Sequence, residues 1–382
     1  MSLLTPARHA RQAVALAALV TAVSVALPTS HSTQPARLTA KVVNAGTGHY
    51  AGPVGVRSAT ASASAAHYAT AKPAPTPAPT PDPTPPPAAA PPAVAAVAAV
   101  PPPPPPPPTA GGLNLIVDPV VFRDESGAHS GVPPLQALTG ILVDADTRTI
   151  LWQNQSHIGL PPASTAKIVS SLVALANFDP NKRITITPEA LHQDADETRM
   201  GLSAGEQYSV EDLLSGMLTV SANDAATAMA VDTVGMDNFV AAMNAQIQQL
   251  GLHDSHFTTP VGLDDPQQYA SAYDLAVVAM EDMSRFPVFR NMVWRTQVNL
   301  PQTATHPQFE LPNLNRLLQI YPAAVGLKPG WTGNAGACLV GMAERGGHHL
   351  IAVVLNDPVL YTDQRDLFEW GFAQYGLPPL PR

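Results

Sequence analysis

Runs of apolar residues divide the C-terminal two thirds of the chain into strands and helices. Short apolar stretches rich in Val, Ile and Leu, bounded by turn residues, are typical of strands. Such stretches lie near both ends of this region. They predict a hairpin over residues 138–155, an interrupted strand over residues 324–333, and a second hairpin over residues 336–344 and 348–356.

Between these strands the apolar positions recur at helical spacing. Ser209-x-x-Asp212 resembles a capping box, and Ser271-x-x-Asp274 marks another helix start. The predicted helices cover 164–177, a stretch from 209, 224–233, 237–250, a stretch from 271 to before Pro287, and 363–375. Strands at both ends with helices between them, without β-α-β alternation, predict an α+β fold. We expect an antiparallel sheet flanked by a mainly helical subdomain.

The first third of the chain has a different composition. Arg8 and Arg11 precede an apolar run of about signal-peptide length, so residues 1–32 are interpreted as a signal peptide or membrane anchor. Residues 33–112 are rich in Ala, Ser and Pro, with 19 of the 42 prolines between Pro73 and Pro108. Such a segment favours extended polyproline II and predicts a disordered linker or spacer. The folded domain is then expected over residues 113–382.

Charge narrows the classes of partner. The chain carries a formal net charge of −9, and its first 112 residues hold six Lys or Arg against one Asp. The negative charge therefore lies in the folded part, which argues against nucleic acid as a partner. The single cysteine, Cys338, permits no intramolecular disulfide and sits in a predicted buried strand.

Three short motifs carry the candidate chemistry. In Ser164-Thr165-Ala166-Lys167, a helix would place serine and lysine on one face, where a lysine of lowered pKa can take the serine proton. Ser221-Ala222-Asn223 lies at a helix break, and Lys328-Pro329-Gly330 lies on a strand. Only five lysines occur in the chain, and two of them fall in these motifs. The order S-x-x-K, S-x-N, K-x-G is that of penicillin-recognising serine acyltransferases.

Residues ~115–377 resemble the low-molecular-mass penicillin-binding D-alanyl-D-alanine carboxypeptidases. PPASTAKIVSSLVAL is similar to the family's nucleophile helix, and MGLSAGEQYSVEDLLSGMLTVSANDAATAMA to its second-motif region. Two further signatures are PVGLDDPQQYASAYDLAVVA and YPAAVGLKPGWTGNAGACLV. The resemblance implies a β-lactamase/transpeptidase-like fold. It also implies a serine peptidase that removes the terminal D-alanine from peptidoglycan stem peptides and is acylated by β-lactams.

The resemblance also assigns roles to the motif residues. Ser164 would attack the carbonyl of the penultimate D-alanine, and Lys167 would accept its proton. Ser221 would relay a proton to the leaving amine, and Asn223 would hold the substrate backbone. Lys328 would attract the terminal carboxylate, and its charge would keep the pKa of Lys167 low. No cofactor or metal is expected.

The third motif departs from the family pattern of Lys-Thr-Gly, because Pro329 stands in the middle position. Gly330 would let the substrate approach the strand, and the backbone N–H groups of Ser164 and Trp331 would form an oxyanion hole. Thr332 is the nearest hydroxyl that can replace the missing threonine. We expect carboxylate binding to be retained but altered.

Other classes of function require residues or loops of their own. A β-lactamase would need a deacylating glutamate in an E-x-x-L-N loop, and none lies between Asn223 and Lys328. His253 and His256 are three residues apart, but they are interpreted as turn residues and not as zinc ligands. A D,D-endopeptidase acting on cross-linked peptidoglycan, and an inactive wall-binding protein on the same fold, stay as alternatives. The expected location is extracytoplasmic, either secreted or tethered to the outer face of the cytoplasmic membrane through the N-terminus.

Overall fold

The structure is a computed structural model that describes residues 113–116 and 119–381. The predicted signal or anchor (1–32) and the predicted linker (33–112) lie outside the described residues. Within the described ranges the strands are β1 (Arg123–Asp124), β2 (Thr139–Asp144), β3 (Thr149–Asn154), β4 (Arg183–Thr185), β5 (Gln207–Ser209), β6 (Gln297–Leu300), β7 (Phe309–Pro312), β8 (Ala324–Thr332), β9 (Gly336–Arg345) and β10 (His348–Leu355).

The helices of the same part of the chain follow the strands in sequence order. They are α1 (Lys167–Asn177), α2 (Val210–Thr219), α3 (Asn223–Val231), α4 (Met236–Gln249), α5 (Ala272–Arg285), α6 (Pro287–Val293), α7 (Leu317–Ile320) and α8 (Leu360–Ala373). In addition, 3-10 turns span Ser126–Ala128, Ala163–Ala166 and Pro188–Leu191. None of the helices in the described ranges is long and apolar enough to cross a membrane.

A six-stranded sheet in the order β1-β3-β2-β10-β9-β8 forms the centre of the fold. β1 runs parallel to β3, and every other neighbouring pair is antiparallel. β4 pairs with β5 and β6 with β7 as separate two-stranded sheets. A mainly antiparallel sheet with helices on it confirms the predicted α+β class.

Both faces of the central sheet are covered, which explains why its inner strands are apolar at nearly every position. Along β10, Ile351 and Val353 pack into the core shared with α1 and α5, whereas Leu350 and Val354 pack into the core under α8. Successive strand residues point to opposite faces, so one apolar run serves two cores. Cys338 is fully buried in β9, as expected, and burial raises the pKa of its thiol to about 12.

Several local predictions are confirmed by particular contacts. Ser209 and Asp212 form both hydrogen bonds of a capping box at the start of α2. Ser271 caps α5 by accepting a hydrogen bond from the Asp274 amide. Other elements differ from the prediction. α1 begins at Lys167 after a 3-10 turn, and α8 begins three residues early at Leu360. The elements β1, β4, β5, β6, β7, α6 and α7 were not predicted, because each is at most seven residues long.

The edge strand β8 and the start of α1 bring two of the three motifs together. Among the described residues β8 has a sheet partner only on its β9 side, so its other edge is directed away from the sheet. The 3-10 turn that carries Ser164 packs against this strand at Gly330. The third motif, at Ser221, lies in the short connection between α2 and α3.

Candidate active site

The turn that carries Ser164 has an unusual backbone conformation. Ala163, the residue before the serine, has φ 48°, in the left-handed region that costs a non-glycine residue about 1–3 kcal/mol. Gly262 packs against it so closely that a Cβ atom there would lie 1.8 Å from the Ala163 carbonyl oxygen. Thr165 Oγ1 donates to the Pro162 carbonyl oxygen at 2.6 Å. The strained turn is therefore fixed from both sides, and it leaves Ser164 only half buried.

Lys167 is fully buried directly beneath this serine. Its Nζ lies 2.9 Å from Ser164 Oγ, as the i, i+3 spacing predicted. The same nitrogen lies 2.7 Å from Asn223 Oδ1 and 2.8 Å from the Val261 carbonyl oxygen. Among the described residues the amine thus contacts three oxygen atoms and no carboxylate, so no negative charge in direct contact balances an ammonium ion.

The surroundings of Lys167 favour the neutral amine. Burial first, and the positive charge of Lys328 second, hold the pKa of Lys167 well below the usual lysine value. The charges of Glu197 and Asp224 oppose this shift but do not reverse it. A neutral lysine in contact with a serine hydroxyl has the arrangement of a general base and its nucleophile.

The second motif is held at a sharp bend. Ser221 has φ 61°, again in the left-handed region, and is 5% exposed between α2 and α3. Asn223 is the first residue of α3, and its two amide atoms have different partners. Oδ1 contacts Lys167 Nζ, and Nδ2 donates to Glu197 Oε2 at 2.6 Å. The bend thus turns Asn223 toward the lysine.

The third motif lies on β8. Lys328 is fully buried, its Nζ donates to the Pro329 carbonyl oxygen at 2.9 Å, and burial lowers its pKa to about 7. Gly330 faces the nucleophile turn, because a Cβ atom there would lie 2.7 Å from the Ser164 amide nitrogen. Pro329 is compatible with this position because edge strands tolerate a residue that lacks an N–H group.

Trp331 and Thr332 end β8 at the mouth of the site. Trp331 is 40% exposed, which is high for a tryptophan. Thr332 Oγ1 donates to Asp264 Oδ1 at 2.6 Å and accepts from the Ala335 amide at 3.0 Å. The Thr332 hydroxyl hydrogen is therefore already used in a hydrogen bond to Asp264. Thr332 could donate to a substrate carboxylate only if this hydrogen bond were broken.

Besides Asp264, sequence reasoning missed two carboxylates that build the site. Asp224 is buried at the start of α3 and accepts backbone hydrogen bonds from Met200, Gly201 and Leu202 at 2.8–3.1 Å. These bonds tie the loop before β5 to the second motif. The second carboxylate, Glu197, lies on that same loop. The Asp224–Met200 and Glu197–Asn223 contacts each span more than 20 residues, so the sequence did not indicate them. The one available signal for a role in the site was that Asp224 directly follows Ser-Ala-Asn.

A lysine-paired serine beside the edge strand of an antiparallel sheet, with helices carrying a Ser-x-Asn bend, defines the penicillin-recognising class of serine enzymes. A model of the D-alanyl-D-alanine carboxypeptidase family matches residues 127–359. The chain belongs to this family of serine carboxypeptidases. The family match covers all three motifs and most of the central sheet.

Individual relatives agree with this membership. D-alanyl-D-alanine carboxypeptidase DacB2 of Mycobacterium tuberculosis is 35% identical over 250 residues, which is 63% of this chain and 84% of that protein. DacF of Bacillus subtilis, also a D-alanyl-D-alanine carboxypeptidase, is 31% identical over 271 residues, 69% of each chain.

Solved structures show the same fold. The crystal structure of a D-alanyl-D-alanine carboxypeptidase from Mycobacterium tuberculosis H37Rv superposes with a TM-score of 0.60 at 33% identity, covering 66% of this chain and 96% of that one. The Streptomyces K15 DD-transpeptidase gives a TM-score of 0.60 at 28% identity, covering 64% of this chain and 100% of that one.

Proposed function

We propose that this carboxypeptidase removes the terminal D-alanine from peptidoglycan stem peptides through an acyl-enzyme on Ser164. The observation that carries this proposal is the contact of 2.9 Å between Ser164 Oγ and the fully buried Lys167 Nζ. The lowered pKa of Lys167 supplies the base that serine needs at neutral pH.

Acylation is proposed to begin at the Ser164–Lys167 pair. Ser164 Oγ attacks the carbonyl carbon of the penultimate D-alanine while its proton passes to Lys167 Nζ. The oxyanion forms beside the backbone N–H groups of Ser164 and Trp331, and each such donor typically contributes ~3 kcal/mol to transition-state stability. The C–N bond then breaks, and Ser221 passes the proton to the amine of the departing D-alanine.

Deacylation uses the same residues in reverse order. Water attacks the ester carbonyl, Lys167 takes one water proton, and that proton returns to Ser164 Oγ as the ester bond breaks. The products are the shortened stem peptide and free D-alanine. Without an E-x-x-L-N loop to supply a second base, β-lactam esters are expected to persist on Ser164.

Substrate orientation is assigned to the second and third motifs. Asn223, at the start of α3, is proposed to hold the peptide backbone, and Lys328 to attract the terminal carboxylate. Gly330 lets the nucleophile turn approach β8, since a Cβ atom there would lie 2.7 Å from the Ser164 amide nitrogen. The outer edge of β8, which has no strand partner among the described residues, is proposed to bind an extended peptide. An extended peptide added to an edge strand is a common mode of peptide recognition.

Release of D-alanine from a diacetyl-L-Lys-D-Ala-D-Ala peptide tests the proposal. The enzyme should release one D-alanine per peptide, Ser164→Ala should release none, and Ser284→Ala should behave as the parent because Ser284 is exposed on α5. Cleavage of cross-linked peptidoglycan dimers, without D-alanine release from this peptide, would instead favour the endopeptidase alternative.

The site of action is proposed to be the cell wall space. Membership in a family that acts on peptidoglycan supports an extracytoplasmic location, and the basic and apolar residues 1–32 support export. The Pro-rich residues 73–108 would then hold the enzyme away from the membrane. Carbonate extraction of cell membranes separates the two forms, since an anchored protein stays with the pellet and a secreted one is released.

A further inference from the structure

Glu197 is connected to the proposed base, Lys167, through the side chain of Asn223. Its Oε2 accepts a hydrogen bond from Asn223 Nδ2 at 2.6 Å, and Asn223 Oδ1 in turn accepts from Lys167 Nζ at 2.7 Å. Lys167 Nζ lies 2.9 Å from Ser164 Oγ. A continuous chain of contacts therefore connects a carboxylate of the loop before β5 to the nucleophile.

The direction of each hydrogen bond follows from what the atoms can donate. A neutral lysine amine has two N–H groups and one lone pair. The Val261 carbonyl oxygen, at 2.8 Å, and Asn223 Oδ1 only accept, so they take both N–H groups. The lone pair is then left for the Ser164 hydroxyl, which is the geometry that deprotonation of the serine requires.

This arrangement depends on which end of the Asn223 amide faces the lysine. A rotation of the amide by 180° would direct Nδ2 at Lys167 Nζ and occupy the lone pair. A carboxylate accepts hydrogen bonds but donates none, so Glu197 permits Nδ2 on its own side and excludes Oδ1. The contact with Glu197 therefore selects the amide orientation that keeps the lone pair free.

Glu197 is itself held against the second motif. Its other oxygen, Oε1, accepts a hydrogen bond from the backbone N–H of Asp194 at 2.9 Å. In addition, the backbone N–H of Asn223 donates to the carbonyl oxygen of Thr198, the next residue after Glu197, at 2.7 Å. Asp224 ties the following residues of the loop to the start of α3. The carboxylate is thus placed by the fold and does not reach Asn223 as a freely moving surface side chain.

We propose that Glu197 is a positioning residue that orients the Asn223 amide and so directs the Lys167 lone pair at Ser164. Glu197 touches neither the nucleophile nor the substrate in this role. The inference rests on the proposed function of Ser164 and Lys167, and it adds a requirement that the three motifs do not contain.

The test is the second-order rate of acylation of the purified protein by benzylpenicillin. Glu197→Ala removes the acceptor and should slow acylation about 10- to 100-fold, the usual effect of losing a hydrogen bond to a charged group. Glu197→Gln keeps the reach but replaces one accepting oxygen with an NH2 group, so it cannot accept from both Asn223 Nδ2 and the Asp194 amide and should slow acylation by a similar factor. Asp196→Asn removes an exposed charge from the neighbouring position and should leave the rate unchanged.

Glu197→Asp keeps a carboxylate, which only accepts hydrogen bonds, but shortens its reach. It should therefore retain more of the acylation rate than Glu197→Gln, and it guards against misfolding of the alanine variant. A Glu197→Gln rate at or above that of Glu197→Asp would contradict the proposal.

A double-mutant cycle distinguishes positioning from a general structural role. If Glu197 acts through Asn223, Glu197→Ala should have no further effect on acylation in an Asn223→Ala background. Equal losses in both backgrounds, or a Glu197→Ala rate equal to that of the parent, would overturn the inference alone. A parent protein that benzylpenicillin does not acylate would instead overturn the proposed function.

Discussion

Gly330 and Ser164 approach each other so closely that a Cβ atom on the glycine would lie 2.7 Å from the serine's amide nitrogen. The edge strand β8 and the nucleophile turn are therefore in backbone-to-backbone contact. Both elements supply an N–H group to the proposed oxyanion hole, so their spacing fixes the distance between those donors. A side chain at Gly330 would separate them.

Gly330→Ala is accordingly expected to reduce acylation by benzylpenicillin about 100-fold, the typical cost of displacing a reacting group by about 1 Å. Gly333→Ala is the matched control, because a Cβ atom there meets nothing within 4 Å. Stopped-flow acylation of both variants measures the effect. A Gly330→Ala rate equal to that of Gly333→Ala would show that the close approach is not required.

The two buried lysines predict a bell-shaped dependence of kcat/KM on pH. The rate should rise as pH increases through the lowered pKa of Lys167, because only its neutral form accepts the serine proton. It should fall again above about pH 7, where Lys328 loses the charge that attracts the substrate carboxylate. Because the charge of Lys328 lowers the pKa of Lys167, the two apparent pKa values read from the profile belong to the coupled pair and not to either lysine alone.

Lys328→Arg separates the two limbs, since an arginine stays charged throughout the range. The descending limb should move to a higher pH even if the larger side chain lowers the maximum rate. Hydrolysis of a D-Ala-D-Ala peptide between pH 5 and pH 10 provides both profiles. A descending limb that stays in place would assign it to a different group.

Asp282 predicts a change in stability away from the site. It is fully buried on α5, accepts from Ser171 Oγ at 3.0 Å, and burial raises its pKa well above 3.8. Above pH 3.8 the unfolded chain loses this proton while the folded state keeps it, so rising pH favours the unfolded state. Asp282→Asn removes this effect and should raise the melting temperature at pH 7.

The sign of this prediction is checked by lowering the pH. Below pH 3.8 both states of the parent carry the proton, so the advantage of Asp282→Asn should disappear. Asp196→Asn, at an exposed position, is the control and should show no such difference. Calorimetry at pH 7 and at the lowest pH where the protein folds measures both variants. A destabilised Asp282→Asn at pH 7 would mean that the carboxylate is ionised in the folded protein.

Pro329 predicts weakened carboxylate binding. Neither Pro329 nor Thr332 offers a free hydroxyl hydrogen, because Thr332 donates its own to Asp264. Pro329→Thr should therefore lower KM for a D-Ala-D-Ala peptide about 2- to 10-fold, the range of one neutral hydrogen bond. Pro329→Ala controls for loss of the ring. Unchanged kinetics in Pro329→Thr would refute the prediction.

Local contacts were predictable from the sequence. The Ser164–Lys167 pair, the Ser209–Asp212 capping box and the turn at Gly346-Gly347 all depend on residues within three positions of each other. Backbone geometry brings such residues together almost regardless of the remaining fold. The same reasoning gave the order of the longer strands and helices and hence the α+β class.

Contacts between distant segments were not predictable in this way. Glu197 meets Asn223 across 26 residues, and Asp264 meets Thr332 across 68. Both carboxylates lie in loops whose course is decided by tertiary packing, so no periodicity indicates their partners. For this reason the sequence did not reveal that Asp264 accepts the hydrogen of the Thr332 hydroxyl, which was expected to bind the substrate carboxylate.

Intact-mass spectrometry of the purified protein after incubation with benzylpenicillin tests the central claim most directly. A stable adduct of one penicillin per chain that is absent from Ser164→Ala, and retained in Ser284→Ala, is the expected result. A folded protein that gains no mass while the penicillin stays intact would contradict Ser164 as the acylated nucleophile. No mass gain with hydrolysed penicillin would instead contradict the expected slow deacylation.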